Sequence, residues 1–485
     1  AGFSDEGDLL ALKVEIFADG GWTTDLSPGV HDRALFHLDN AYFIPNLHFS
    51  GRVCRSNRPS NTAFRGFGGP QGMLVVEEVI TRFAESTGLD PAAVRARNYY
   101  EEGGRDWAPY GQKIEEIRLQ RLHAELLESS DYDQRKEEIA SFNDDNVYLK
   151  RGLAFQPIKF GISFTVSVLN QAGALVLVYS DGSAQINHGG TEMGQGLHSK
   201  MGAVAAECLG LPSRRIRVMH THTEKVPNTT PTAASSGSDL NGAAVADACN
   251  KIIERMRPVA ATLLDCSPED VRFEAGKVFS GSKSKDFAQV AAECWAQHIS
   301  LSATGFWATP GVAYDRDSGT GTPFFYFAYG AAVSEIELNG LTGEHRVRRV
   351  DILHDVGNPL LPSIDLGQVE GAFIQGMGWL TNEEVIFRDD GSCLTVGPST
   401  YKIPSIGDTP PEFNVRLLER AANERVIGGS KAVGEPPFPL AISVLSALRH
   451  AVQAFGPKRK QVELAIPATP EALLRAVDRQ RKLES

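Results

Sequence analysis

Apolar and polar side chains alternate along residues 9–17, where Leu12, Val14 and Ile16 are separated by Lys13 and Glu15, and this two-residue period predicts a strand. Residues 1–8 read as a turn ahead of it. In residues 71–86 the period changes: Met73, Val76, Ile80 and Phe83 recur at helical spacing and stop before Gly88 and Pro91, predicting a helix fed by the glycine-rich loop 65–72. Residues 112–150, rich in Glu, Arg, Asp and Lys, predict solvated helices and a connector, so a domain boundary is expected near residue 146, dividing 1–145 from 146–485. Beyond it, residues 174–179 and 183–187 flank Asp181-Gly182, the signal for a tight β-hairpin. The hairpin delivers His188-Gly189-Gly190 to one edge. An apolar run at 201–209, ended by Gly210 and Pro212, predicts a helix starting beside Gly194-Gln195-Gly196. Small-residue turns are expected at 233–236, at Gly367-Gln368 before a helical segment, and at 428–434. Strands and helices mix without regular βαβ alternation, so the fold class is α+β.

A chain of 485 residues can bury two to four domain cores. Its formal charge of -12 gives no basic footprint, and no Lys/Arg run is interleaved with aromatics, so no nucleic-acid partner is expected. No apolar stretch reaches the roughly 20 residues of a spanning helix, and Ala1-Gly2-Phe3-Ser4-Asp5 has no leader character, so no membrane association and a cytoplasmic location are expected. Because the chain opens directly on a strand, a preceding segment is expected upstream. The six cysteines form no C-x-x-C pair, which argues against an iron-sulfur cluster or structural zinc within this chain and for free thiols in a reducing compartment. His220 and His222 would share a face in a strand and could ligate a metal. That reading has little support, and no metal ligand from this chain is expected.

Three segments can carry chemistry. In Phe64-Arg65-Gly66-Phe67-Gly68-Gly69-Pro70-Gln71 the glycines allow close backbone approach to a ligand, and the following helix start attracts anions. It is not a P-loop, since no Gly-Lys-Ser/Thr follows; a tight turn with Arg65 paired to a carboxylate explains the spacing equally well. The segment His188-Gly189-Gly190-Thr191-Glu192-Met193-Gly194-Gln195-Gly196 has the composition of a binding loop. Local hydrogen bonds account for His188 and Glu192, whereas Gln195 offers a ligand both an amide donor and an acceptor. In Lys431-Ala432-Val433-Gly434-Glu435-Pro436-Pro437 one carboxylate is set between a glycine and two prolines of fixed φ. A glutamate held amid apolar neighbours can have a raised pKa, which suits a general base, although capping or salt bridging is the commoner use of such a residue.

Together, Thr62-Ala63-Phe64-Arg65-Gly66-Phe67-Gly68-Gly69-Pro70-Gln71, Gly189-Gly190-Thr191-Glu192-Met193-Gly194-Gln195-Gly196 and Lys431-Ala432-Val433-Gly434-Glu435-Pro436-Pro437 resemble the signature set of xanthine dehydrogenases and oxidases. The likeness extends to Asp32-Arg33-Ala34-Leu35-Phe36-His37, Lys159-Phe160-Gly161-Ile162-Ser163-Phe164-Thr165, Asn170-Gln171-Ala172-Gly173-Ala174 and Pro398-Ser399-Thr400-Tyr401-Lys402-Ile403-Pro404, and so over essentially the whole chain. It is similar to the larger, C-terminal part of the molybdenum subunit.

The resemblance implies two elongated molybdenum-cofactor-binding domains with the cofactor at their interface. It implies oxidation of hypoxanthine to xanthine and xanthine to urate, by Mo-OH attack on the purine with hydride transfer to Mo=S. Glu435 matches the base that takes the proton from Mo-OH, and Arg33 the arginine that steadies negative charge on the purine oxygen. Phe67 and Phe164 match the two rings that clamp the purine, with Thr165 beside it. Arg65, Gly194, Gln195, Ala234, Ser235 and Gln368 match positions around the molybdenum and its pterin. In that family the opening part of the subunit brings a further Phe-Gly-Gly loop and a second carboxylate. Here it is expected from another chain or segment, without which this chain is inactive; 2Fe-2S clusters and FAD are expected on partner subunits, in a dimer of heteromers. The alternatives are an aldehyde or other N-heterocycle oxidase sharing the cofactor, and a noncatalytic assembly subunit.

Overall fold

A computed structural model describes residues 1–226 and 228–483. The alternating pattern builds β2 (Leu9–Gly21), which buries Leu12 and Val14, exposes Lys13 and Glu15, and runs four residues beyond the expected end. The opening turn includes a short strand, β1 (Gly2–Phe3), antiparallel to β2, and β3 (Leu47–Arg55) runs parallel to β2. Helix α1 (Ser27–Phe36) lies against α2 (Gly69–Thr87), the helix expected at 71–86. Its start depends on Gly68, whose φ of 94° is left-handed and where a Cβ would strike the backbone carbonyl of Val30 in α1. The charged stretch contains α4 (Leu119–Ser129) and α5 (Tyr132–Asp145), after the short α3 (Pro91–Arg97).

Two four-stranded sheets follow. In the first, β4 (Leu149–Ile162) and β14 (Tyr326–Asn339) are antiparallel, β15 (His345–His354) is antiparallel to β14, and β16 (Glu412–Leu417) is parallel to β15. The second has the order β11 (Ser302–Ala308), β5 (Gln171–Val178), β6 (Ala184–His188), β7 (Ile216–Val218). β5 and β6 form the expected hairpin, with Gly182 at a φ of 79° in its turn. Against this sheet pack α6 (Leu197–Leu209), which begins four residues ahead of the expected apolar run, and α7 (Gly237–Leu264). A small sheet, β8 (Arg272–Glu274), β9 (Lys277–Ser280) and β10 (Lys283–Asp286), leads into α8 (Phe287–Ala296), and β12 (Ala313–Asp315) pairs with β13 (Thr320–Thr322). Helices α9 (Pro362–Thr381), α10 (Ile442–Gln453) and α11 (Pro470–Lys482) complete the order.

The wall that organises the site is β14. Its Phe327, Tyr329, Ala331 and Val333 join the core of the first part of the chain, with Ile80, Tyr42 and Leu122. Its alternate residues Ala328, Ala332 and Ile336 join a core with Phe373 of α9 and Leu448 of α10. Burial on both faces explains the near-continuous apolar run of this strand. Both parts of the chain therefore pack against one sheet.

One expectation fails. Gly367 and Gln368 lie inside α9, not in a turn before it, because Pro362 starts the helix and Val369, Phe373 and Leu380 carry a buried face through it. His220 and His222 fall outside β7 and are exposed, and among the described residues no three His, Cys, Asp or Glu side chains gather to hold a metal ion. All six cysteines are free thiols. Among the described residues no helix is long and apolar enough to cross a membrane.

Candidate active site

The loops at the ends of these elements converge on a cavity of about 870 Å³. From the first part of the chain, Arg33 of α1 and Arg65 and Phe67 of the glycine-rich loop line it; from the end of β4 come Phe164 and Thr165. Gln195, Ala234, Ser235, Gln368 and Glu435 complete the expected set. Gly194 sits between Met193 and Gln195, which both line the cavity; its φ is 94°, and a Cβ there would meet nothing within 4 Å.

Glu435 is held from two sides. Its Oε1 accepts from the Gly66 N–H at 3.2 Å and its Oε2 from the Ser235 hydroxyl at 3.0 Å, while the Glu435 N–H donates to Ser235 Oγ at 2.8 Å. Ser235 and Ala234 both have positive φ, 55° and 56°, a conformation costing roughly 1 kcal/mol or more per non-glycine residue and concentrated at functional sites. The bonds to Glu435 help hold it. Arg65 stitches the same region: Nε donates to the Gly434 carbonyl at 2.6 Å, and its terminal nitrogens donate to Gln375 at 3.2 Å and to the Gln368 side chain at 3.3 Å.

Arg33, only 1% exposed, donates to the carbonyls of Ser163, at 2.9 Å, and Gly161, and lies over the rings of Phe160 and Phe324 at 4.9 and 5.3 Å. Its Nε is buried without a partner among the described residues. Among the described residues neither Arg33 nor Arg65 forms an ion pair, in contrast to the other cations of the wall: Lys200 pairs with Asp365 at 2.5 Å and Lys431 with Asp355 at 2.8 Å. Burial pulls both guanidiniums below the usual arginine pKa, and the Glu435 charge opposes that pull.

The loop from His188 to Gly196 is closed by its own side chains. Glu192 accepts from the N–H groups of Gly194, Gly196 and His198, each at 2.9 Å, and so caps α6; burial would raise its pKa, but the three amides hold it below the ordinary value. His188 Nδ1 accepts from Gly190 N–H, and burial, then the neighbouring His198, lowers its pKa to about 4. Gln195 lines the cavity, but its carboxamide bonds Met193 N–H and the Thr191 carbonyl within the loop.

The chamber has the features of an anion-binding site. It presents two guanidiniums without a carboxylate partner, open space above Gly194, and the start of the 28-residue α7, which no side chain caps and whose aligned peptides favour negative charge. Models described as molybdopterin cofactor-binding domain match residues 1–99 and 125–410, more than half of the chain. The chain belongs to the molybdopterin cofactor-binding domain family. It is 48% identical over 481 residues to a xanthine dehydrogenase/oxidase of Felis catus, covering 98% of this chain and 35% of the relative. It is 47% identical to a xanthine dehydrogenase of Dictyostelium discoideum, covering 93% and 32%. The chain thus spans about a third of the length of the curated relatives it matches. In fold it is similar to quinoline 2-oxidoreductase from Pseudomonas putida 86, with a TM-score of 0.85 at 23% identity over 99% of this chain and 61% of that one. The aldehyde oxidoreductase of Desulfovibrio desulfuricans gives 0.81 at 24%, over 97% and 48%. A molybdopterin cofactor, the group named in this family's description, is what such a chamber suits.

Three participants escaped sequence reading. Lys200 left a signal, a lone cation immediately ahead of the apolar run of α6. Tyr326 and Asp239, buried at 3% and 8% exposure beneath the cavity wall, left none, because each sits in an ordinary strand or helix sequence.

Proposed function

We propose that this chain is the larger, C-terminal part of the molybdenum-binding portion of a xanthine dehydrogenase-type hydroxylase, oxidising hypoxanthine to xanthine and xanthine to urate. The observation that carries the reading is one cavity in which the Glu435 carboxylate, held by Gly66 and Ser235, shares space with the carboxylate-free guanidinium of Arg33. Arg65, Gly194, Gln195, Ala234, Ser235 and Gln368 hold the cofactor, which supplies the two-electron oxidation when bound. Arg33 steadies negative charge developing on the purine oxygen, a donor contribution on the order of 3 kcal/mol in a water-poor site. Phe67 and Phe164 orient the ring and Thr165 borders it; such aromatic contacts add only about 0.5 to 1.5 kcal/mol beyond burial, so they place the substrate without activating it. Glu435 accepts the proton.

An upstream segment or chain completes the chamber, and partner subunits with 2Fe-2S clusters and FAD carry electrons away, in a cytoplasmic dimer of heteromers. The domains divide between residues 145 and 146, where α5 ends. An aldehyde oxidase on the same scaffold has less use for Arg33, since a neutral aldehyde offers a cation little to stabilise. The deciding experiment is Glu435→Ala in the assembled enzyme: turnover of xanthine falls by roughly a hundredfold to ten-thousandfold, as for loss of a positioned base, while molybdenum content stays constant. Substantial remaining turnover removes Glu435 as the base.

A further inference from the structure

Below the cavity wall, Tyr326 opens β14 opposite Ile162 of β4. Its hydroxyl accepts the Ala432 N–H at 2.7 Å and contacts Asp239 Oδ2 at 2.7 Å. The amide can only donate, which leaves the single hydroxyl proton for the carboxylate, so the order runs Ala432 to Tyr326 to Asp239. Asp239 lies in the first turn of α7, four residues after Ser235, and Ala432 lies three residues before Glu435. The α7 start and the Glu435 loop are therefore joined twice, directly through Ser235 and Glu435 and again through this bridge. One joint leaves a pivot; two set the direction of the carboxylate.

Resting on the reading of Glu435 as the base, we propose that Tyr326 is a positioning residue for Glu435, anchored by Asp239. Neither residue lines the cofactor cavity. Asp239 suits an anchor that answers to one partner: its Oδ1 is buried without a hydrogen bond among the described residues, and burial, against the pull of Tyr326 and Lys200, pushes its carboxyl up to about 7. Tethers from other elements, the Lys431 N–H to the Val356 carbonyl at 2.8 Å and Arg65 Nε to the Gly434 carbonyl at 2.6 Å, hold the loop on either side of Ala432 and do not constrain its peptide from the α7 side.

The test uses the assembled, cofactor-loaded enzyme and two readouts. In Tyr326→Phe, hydrogen exchange at the Ala432 amide should accelerate at least tenfold, and kcat should fall roughly ten- to a hundredfold, the range for a displaced reacting group, with KM within twofold. Asp239→Asn, which keeps an acceptor for the hydroxyl, should lose less than threefold in kcat, and Asp239→Leu should approach the Tyr326→Phe loss. Unchanged Ala432 exchange in Tyr326→Phe, or a loss confined to KM, overturns the inference while leaving Glu435 as the base. Turnover surviving in Glu435→Gln overturns both. If Tyr326→Phe fails to assemble, the contrast between Asp239→Asn and Asp239→Leu decides, and equal losses in the two reject the anchor.

Discussion

Asp239 gives the sharpest physical forecast because its ionisation is costly in the fold and free outside it. Its carboxyl is raised from 3.8 to about 7, burial being the main cause. The folded state therefore binds the proton more tightly than the unfolded state. The stability this contributes is complete below pH 3.8 and is lost as pH rises through the interval up to about 7, beyond which it stays flat. At about 1.4 kcal/mol per pKa unit, the full loss is roughly 4 kcal/mol, of which somewhat under 2 has already gone at pH 5. Asn at this position never ionises, so it escapes the whole term. It brings its own cost, because Nδ2 replaces an oxygen that already lacks a partner, and an unpaired buried donor costs about 1 to 3 kcal/mol. That cost does not vary with pH. The difference in stability between Asp239→Asn and the parent should therefore shift by roughly 2 to 3 kcal/mol in favour of Asn between pH 5 and pH 8, whatever its sign at either end. Paired thermal melts of the assembled enzyme at the two pH values measure it, and the subtraction cancels every other titrating group. Equal differences at pH 5 and pH 8 would refute a carboxylate forced to ionise in a buried site.

Two further outcomes test the site and its scaffold. On the proposed purine reading, Arg33→Met should lower kcat/KM for xanthine by about a hundredfold or more, and for an aromatic aldehyde far less, since under that reading only the purine develops charge at that position; equal losses for the two substrates would remove Arg33 from substrate choice. Glu192→Ala strips three backbone N–H groups at the start of α6 of their acceptor and should cost about 1 to 2 kcal/mol, seen as a lower melting midpoint and faster exchange at Gly194, Gly196 and His198; unchanged exchange at those amides would show that the cap contributes nothing.

How much of this was readable in the sequence depends on how local the cause is. The Asp181-Gly182 hairpin and the stops of α2 and α6 at Gly88 and Gly210 are set by backbone conformations that a few residues dictate, and they came out where expected. The turn placed at Gly367-Gln368 did not, because a glycine on an unobstructed helix position is tolerated when the flanking apolar period continues. At the site, residues flanked by glycine or proline could be singled out: Arg65, Gln195 and Glu435 all were. Gln195 also shows the limit of that logic, since its carboxamide is engaged within its own loop as well as lining the cavity. Tyr326 and Asp239 depend on contacts across 87 residues, and Tyr326 and Ala432 across 106, so no window of sequence contains them.

The charge pattern of the chamber follows from the same long-range assembly. Two lysines of its wall are neutralised by aspartates, which any buried cation ordinarily requires. Arg33 and Arg65 are instead held by carbonyl and carboxamide oxygens drawn from β4, α9 and the Glu435 loop, groups that orient a guanidinium without cancelling its charge. Aromatic faces at 4.9 and 5.3 Å give Arg33 a further partner of the same kind. Holding a charge in place with dipoles keeps its field available to an arriving anion, and the cost of desolvating and orienting it is met during folding instead of during reaction. That division of labour requires donors and acceptors from both parts of the chain. It also explains why the cavity forms where α1, the end of β4 and the turn before α7 meet.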